Sequence, residues 1–525
     1  MKKVQPILLL FIVSLVLLSS CTVESVAPDD SWESVFLQFW NAMNMEYAHF
    51  DIESNLDWDD VYDKYLPLFR ELDYANEKDT VKAFTYFKEI TIDISDCHFR
   101  LIVRDNFNNF LQMIPADERK WMSADQNHDH THFPDMSYGG SMISADGQVT
   151  ISDDEATGDA QIAEFYGGIE GYYEVNKLTA NGTFHNTGTT FKASQGYSFK
   201  TYKKDEAKDD KVKEAWNNVV NTFDLDGISY YYGVTDDDVF YFYFSYFFSY
   251  DGTPLSEELI YKETLTEEEK AKLKEKKLEG SDKDYLAFHD YIWGEINKGH
   301  SDKSQYFKGI YEMFEILKSI GQTGKCKMKN SSGVEEEYKI KGVVMDVRGN
   351  QGGDNTTLET IFGAFFKNET KFAETRYKEG YNRYEYSPWM DLTIEKKYCT
   401  AEKDYENPFV IITNGYSVSC SELSASIVKN LMKNGIVVGN TTYGATCTKV
   451  KRSLYHSGTF SSKNLEIVMA SLETRLKTRD GSYESFENKG IEPTEGQKVD
   501  VDATYATDAR FEAAVRAAKG ESSST

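Results

Sequence analysis

The chain has 525 residues, enough for about three domains at the usual ~150 residues each. Its formal charge of −28 would repel phosphate backbones, which excludes nucleic acid as a partner. With 40% hydrophobic and 14% aromatic residues it is a globular chain with ample material for a core.

Lys2 and Lys3 precede an apolar run from Ile7 to Leu18, followed by Leu18-Ser19-Ser20-Cys21. Residues 1–21 read as a signal peptide with a small-residue cleavage site, and they resemble a bacterial lipobox. Cys21 is then the lipid attachment point, and the expected location is the bacterial cell envelope, anchored through that lipid with no spanning helix. The remaining cysteines (Cys97, Cys326, Cys399, Cys420 and Cys447) are odd in number, lack CxxC spacing and allow at most two disulfides.

Residues 31–104 predict an N-terminal helical domain. Trp32, Val35, Phe36, Phe39, Trp40 and Met43 keep helical spacing; a second helix is expected from Asp59 to Leu66, broken at Pro67, and a third around Val81, Phe84, Phe87 and Ile90. His98 then opens a strand reaching Val103. Residues 105–226 read as a small β-rich domain, with short alternating runs such as Gln148-Val149-Thr150-Ile151-Ser152. Within it His128, His130 and His132 alternate, which on a strand would put three imidazoles on one face; no matching second cluster accompanies them, and no metal is expected.

Residues 227–518 alternate strands and helices, as an α/β core does, with a charged helical insertion at 253–300. Val239 to Phe248 is too short to span a bilayer and reads as a buried strand; an amphipathic helix is expected from Tyr306 to Ile320. Gly342 to Val347 is another buried strand, leading into Arg348-Gly349-Asn350-Gln351-Gly352-Gly353. That loop has neither dinucleotide spacing nor P-loop residues, so no nucleotide cofactor is expected, but paired glycines can bring backbone N–H groups close to a ligand. Phe409 to Thr413 predicts a strand, Asn414-Gly415 a turn, and Leu423, Ile427, Leu431 and Met432 a helix ending at Gly435. Ser417, Ser419 and Ser421 crowd the turn, where a helix dipole favours a developing oxyanion. Ser419-Cys420-Ser421-Glu422 is also a capping box, which alone requires no chemistry.

Four stretches together resemble the tail-specific protease superfamily of serine peptidases, which includes the C-terminal processing peptidases, tricorn core peptidases and retinoid-binding-protein-like relatives. They are Leu56-Asp57-Trp58-Asp59 with Ser95-Asp96-Cys97-His98, then Val344 to Gly353, Thr413 to Glu422, and Val438 to Gly444. The resemblance implies a crotonase/ClpP-like α/β core and, in the place of the β-rich stretch, a PDZ-like peptide-binding domain. It implies Ser419 as nucleophile, three residues before the motif glutamate Glu422. The Ser–Lys branch has a lysine where this chain has Ala445, with Lys449 the nearest candidate, so the resemblance is closer to the tricorn-like and retinoid-binding-protein-like branch. That branch implies His98 as general base and, in Glu487-Asn488-Lys489-Gly490-Ile491-Glu492-Pro493, Glu487 as the third catalytic residue. Asp96 or a hydroxyl would help orient His98, and Cys97 stands where that branch carries a serine. Gly352, Gly353 and Cys420 would supply the oxyanion hole. The expected function is a serine endopeptidase acting on peptides or unfolded protein tails. The alternative is a non-catalytic, peptidase-like lipoprotein that binds a peptide, lipid or glycan.

Overall fold

The computed structural model describes residues 30–53, 56–107, 109–116, 142–143, 149–150, 189–198, 229–244, 247, 301–330, 332–415, 417–447, 457–499 and 509–521. Cys21, the three alternating histidines, Lys449 and the charged insertion lie outside them. Among the described residues no helix is long and apolar enough to cross a membrane.

Three helices open the chain: α1 (Trp32–Glu46), α2 (Trp58–Arg70) and α3 (Glu77–Thr91). Ser31, Asp57 and Asn76 cap them, each side chain accepting a first-turn N–H. The expectation that the second helix stops at Pro67 is wrong, since α2 runs through it to Arg70. An interior proline costs a helix about 3 kcal/mol. Burial of Leu66 and Phe69 offsets it at roughly 1.5–3 kcal/mol per large apolar side chain. Phe69 stacks on Phe36 at a centroid distance of 4.9 Å, so the proline is overridden by the aromatic core.

This core is closed by a four-stranded antiparallel sheet in the order β15-β16-β1-β2: β1 (Arg100–Arg104), β2 (Phe110–Met113), β15 (Thr459–Ser461) and β16 (Leu465–Val468). Leu465, Ile467 and Met469 pack among the helices, so a late hairpin completes the first unit. A boundary drawn at 104/105 therefore cuts through a sheet.

The second unit is a six-stranded sheet in the order β14-β13-β10-β7-β6-β5. Its strands are β5 (Phe191–Ser198), β6 (Ser229–Thr235), β7 (Val239–Phe244), β10 (Gly342–Asp346), β13 (Phe409–Thr413) and β14 (Gly435–Gly439). From β7 to β14 neighbours are parallel, and β5, β6 and β7 are antiparallel. Burial on both faces explains the continuous apolar runs. Phe240, Phe242, Val343, Met345, Phe409 and Ile411 pack with side chains of α4 (Ser301–Thr323), α5 (Asn355–Gly363) and α6 (Cys420–Leu431). Tyr241, Val344, Val410 and Ile412 face Phe511 and Val515 of α7 (Ala509–Ala518). The edge strand β5 came from the stretch assigned to a separate β-rich domain, because alternation alone does not say which sheet a strand joins.

A second antiparallel sheet, β12-β11-β17-β18, flanks the core, formed by β11 (Thr370–Tyr377), β12 (Met390–Ile394), β17 (Leu472–Lys477) and β18 (Tyr483–Glu484). Two hairpins remain: β3 (Met142–Ile143) with β4 (Val149–Thr150), and β8 (Lys325–Lys329) with β9 (Glu335–Lys339). Gly435 does not stop α6, which ends at Leu431; it begins β14, and it is glycine because a Cβ there would stand 1.7 Å from the Val428 carbonyl oxygen. Cys97, Cys326, Cys399, Cys420 and Cys447 are all free thiols, and none of the disulfides the sequence allows is formed.

Candidate active site

Because β10 and β13 are parallel neighbours, the loops leaving their carboxyl ends meet, which is where open α/β sheets place ligand sites. The first loop is anchored by a buried pair, Arg348 Nη2 to Asp346 Oδ2 at 2.6 Å, with the Tyr241 hydroxyl donating to the same oxygen at 3.0 Å. The second loop is stitched onto it. The Gly349 N–H donates to Asn414 Oδ1 (3.1 Å), Ser417 Oγ to the Val347 carbonyl (2.8 Å) and Ser421 Oγ to the Asn350 carbonyl (2.7 Å). Two of the three crowded serines are thereby fully buried and engaged as structural cross-links. Ser419 is the one left partly exposed.

Ser419 sits at the N-cap of α6 with φ 56° and ψ −116°. A non-glycine residue at positive φ carries about 1–2 kcal/mol of strain, which the surrounding cross-links must hold in place. The glycine loop lies directly against it. Gly352 has φ +93°, and a Cβ there would stand 2.7 Å from Ser419 Cβ, so only glycine fits. The Gly352 N–H is already committed to Asn350 Oδ1 at 2.8 Å, which removes it as an oxyanion donor. Among the described residues no hydrogen bond occupies the N–H of Gly353 or Cys420. The Cys420 thiol, pushed up to about 12 chiefly by burial, donates to the Gly353 carbonyl at 3.1 Å and thus holds those two residues together.

A third loop, 442–447, is gripped by two buried carboxylates. Glu422 accepts from the Ser419 N–H (3.0 Å), the Thr442 hydroxyl (2.6 Å), the Gly444 N–H (2.6 Å) and the Ala445 N–H (2.7 Å). Glu487 accepts from the N–H groups of Thr446 and Cys447, each at 2.8 Å, and from the Cys97 N–H at 2.9 Å. Packing contacts run from the Ser419 turn to the His98 turn. Cys97 packs with Ala445, and Val418, which precedes Ser419, packs against that cluster. Ala445, where the Ser–Lys branch has its lysine, is fully buried and offers only its backbone.

Asp96, His98 and Glu487 offer one imidazole nitrogen and two carboxylate oxygens, all within 4.8 Å of one another. Asp96 fixes the turn by accepting the His98 N–H and the Ala470 N–H, both at 2.7 Å. Burial, then the nearby Asp96 carboxylate, pushes Glu487 up to about 8, against the opposing pull of the Cys97 and Cys447 N–H groups. His49, which no motif in the sequence marks, is fully buried and close enough to His98 for their charges to interact. Its imidazole is held down to about 3, chiefly by burial and then by His98. A lone histidine beyond the end of an amphipathic helix carried no signal that it would be buried. Glu422 did carry a local one: the capping box is present on its side, but its links to the 442–445 loop are long-range.

The model of peptidase family S41 matches residues 317–496, which span both loops and both carboxylates. No curated protein matches the sequence. Among solved structures, a Parabacteroides merdae protein assigned provisionally as a peptidase is 15% identical, covering 93% of this chain and 97% of its own, with a TM-score of 0.44. Mature CPAF in complex with lactacystin is 10% identical over 93% of this chain and 97% of its own, with a TM-score of 0.41. The photosystem II D1 C-terminal processing protease is 10% identical over 90% and 93%, with a TM-score of 0.33. Likenesses this loose carry no functional weight; the matched domain does. Residues 317–496 thus match peptidase family S41, and this match supports the resemblance to the tail-specific protease superfamily of serine-type peptidases.

Proposed function

We propose that this peptidase cleaves peptides or unfolded protein tails by attack of Ser419 on the scissile carbonyl. His98 takes the Ser419 proton and delivers it to the leaving amine; it then activates the water that hydrolyses the acyl-enzyme. Glu487 orients the imidazole and, when ionised, offsets its positive charge, with Asp96 holding the turn from behind. The N–H groups of Gly353 and Cys420 stabilise the oxyanion. The single observation that carries this reading is the strained Ser419, at φ 56° on a helix N-terminus against Gly352. The core is read as crotonase/ClpP-like, and the β-rich stretch 105–226, apart from the strands β2 and β5, as the place of a PDZ-like peptide-binding domain.

The test is fluorophosphonate labelling of the protein with Ser419→Ala and His98→Ala in parallel. The first change is expected to abolish labelling and the second to reduce it at least 100-fold. Equal labelling of all three proteins would overturn the mechanism. We also place the enzyme in the bacterial cell envelope, held by lipid on Cys21. In a bacterial host, labelled palmitate should enter the wild type but not Cys21→Ser, which should leave the membrane fraction; unchanged fractionation would refute the anchor.

A further inference from the structure

We propose that Asp96, His98 and Glu487 form a binding site for a divalent transition metal such as Zn²⁺, whose occupancy silences the peptidase. The proposal rests on the assignment of His98 as general base. An imidazole with two carboxylates is a donor set that zinc accepts, and three protein ligands with an open position mark an exchangeable site. The donor atoms already lie within 4.8 Å of one another, so modest side-chain rotation would converge them on one ion. The two ligand carboxylates are held near the site beforehand. Asp96 is fixed by the His98 and Ala470 N–H groups, and Glu487 by those of Cys97, Thr446 and Cys447. Such hydrogen bonds to ligating carboxylates are the usual outer support of a metal site.

Two further observations point to a cation. Asp96 and Glu487 are both buried, so two carboxylates share a low-dielectric space that a divalent ion would neutralise. His49, beside His98, is fully buried, and neither imidazole nitrogen makes a hydrogen bond of normal geometry among the described residues. His98 is only partly buried, which leaves an entry path. A metal on the imidazole nitrogen removes the lone pair that would accept the Ser419 proton, so binding and catalysis are mutually exclusive.

The experiment uses the Ser419→Ala protein, which is inert by design but keeps all three ligands, titrated with Zn²⁺ by calorimetry. One equivalent is expected to bind, and binding is expected to fall at least tenfold when His98→Ala or Glu487→Gln is added. Replacing His128, His130 and His132 together by alanine in the same background should leave that equivalent in place. In the wild type, saturating Zn²⁺ should slow fluorophosphonate labelling at least tenfold, with recovery on adding EDTA. Equal zinc binding with and without His98 and Glu487, or loss of zinc only with the three alternating histidines, would overturn the proposal. If the wild type does not label at all, the peptidase mechanism fails, while the zinc titration of the Ser419→Ala protein still decides the metal site.

Discussion

Glu422→Gln is expected to lower fluorophosphonate labelling of Ser419 by at least 100-fold and to reduce the melting temperature by several degrees. The Glu422 carboxylate is fully buried, and its four close partners are all donors: the N–H groups of Ser419, Gly444 and Ala445, and the Thr442 hydroxyl. A glutamine of the same shape turns an NH₂ toward two of them. Each orphaned buried donor costs about 1–3 kcal/mol, more where it had faced a charge. The kinetic loss has a separate origin. The Ser419 N–H is one of the four, and the strained turn at φ 56° persists only while its surroundings hold it. A misplacement of ~1 Å at a nucleophile is worth about 100-fold. The checks are labelling rate and thermal melt on the same protein. Glu422→Gln that labels as fast as wild type with an unchanged melt would show that the carboxylate holds nothing the reaction needs. A lowered melt with unchanged labelling would assign it to the fold alone.

The same residue shows how far the sequence could be read. Glu422 was legible as the third residue after an N-cap serine, a local pattern with a local physical cause. Its grip on Thr442, Gly444 and Ala445 joins residues about twenty positions apart, and no spacing rule predicts such contacts. The strands β7, β10 and β13 were visible as apolar runs because parallel strands covered on both faces need little else. Their neighbours were not. β5 and the β15–β16 hairpin were read into the wrong units because short alternating strands specify a face and not a partner. Pro67 misled for a complementary reason: a helix-breaking propensity of about 3 kcal/mol lost to the burial of Leu66 and Phe69. At the site, the glycine loop and the serine turn were found from backbone chemistry. That Gly352 spends its N–H on Asn350, leaving Gly353 beside Cys420, depends on how the loop folds back on itself, which no spacing encodes.

Replacing His49 by leucine is expected to make the protein markedly more resistant to acid. The imidazole is held at about 3 in the folded chain, against an ordinary value near 6.5, because it is wholly buried and lies near His98 and Arg376. Between those two values the unfolded chain binds a proton at His49 that the folded chain refuses. Stability is therefore full above pH ~6.5 and is lost as pH falls toward ~3, below which both states are protonated. At ~1.4 kcal/mol per pKa unit, the window corresponds to a loss of up to ~5 kcal/mol, a large part of a typical folding free energy. Glu487 acts with the opposite sign. Raised to about 8, it binds a proton more readily in the folded chain, so its contribution falls as pH rises from ~4.5 to ~8. The two slopes partly cancel between pH 4.5 and 6.5, which makes the difference between wild type and variant the quantity to measure. Leucine fills about the same volume without a titrating group. Melting temperatures at half-unit steps from pH 4 to 8 should converge for the two proteins at the upper end and separate in favour of the variant below pH 6. Parallel curves over the whole range would mean that His49 is hydrogen-bonded or hydrated in the folded chain and takes up its proton as freely there as when unfolded.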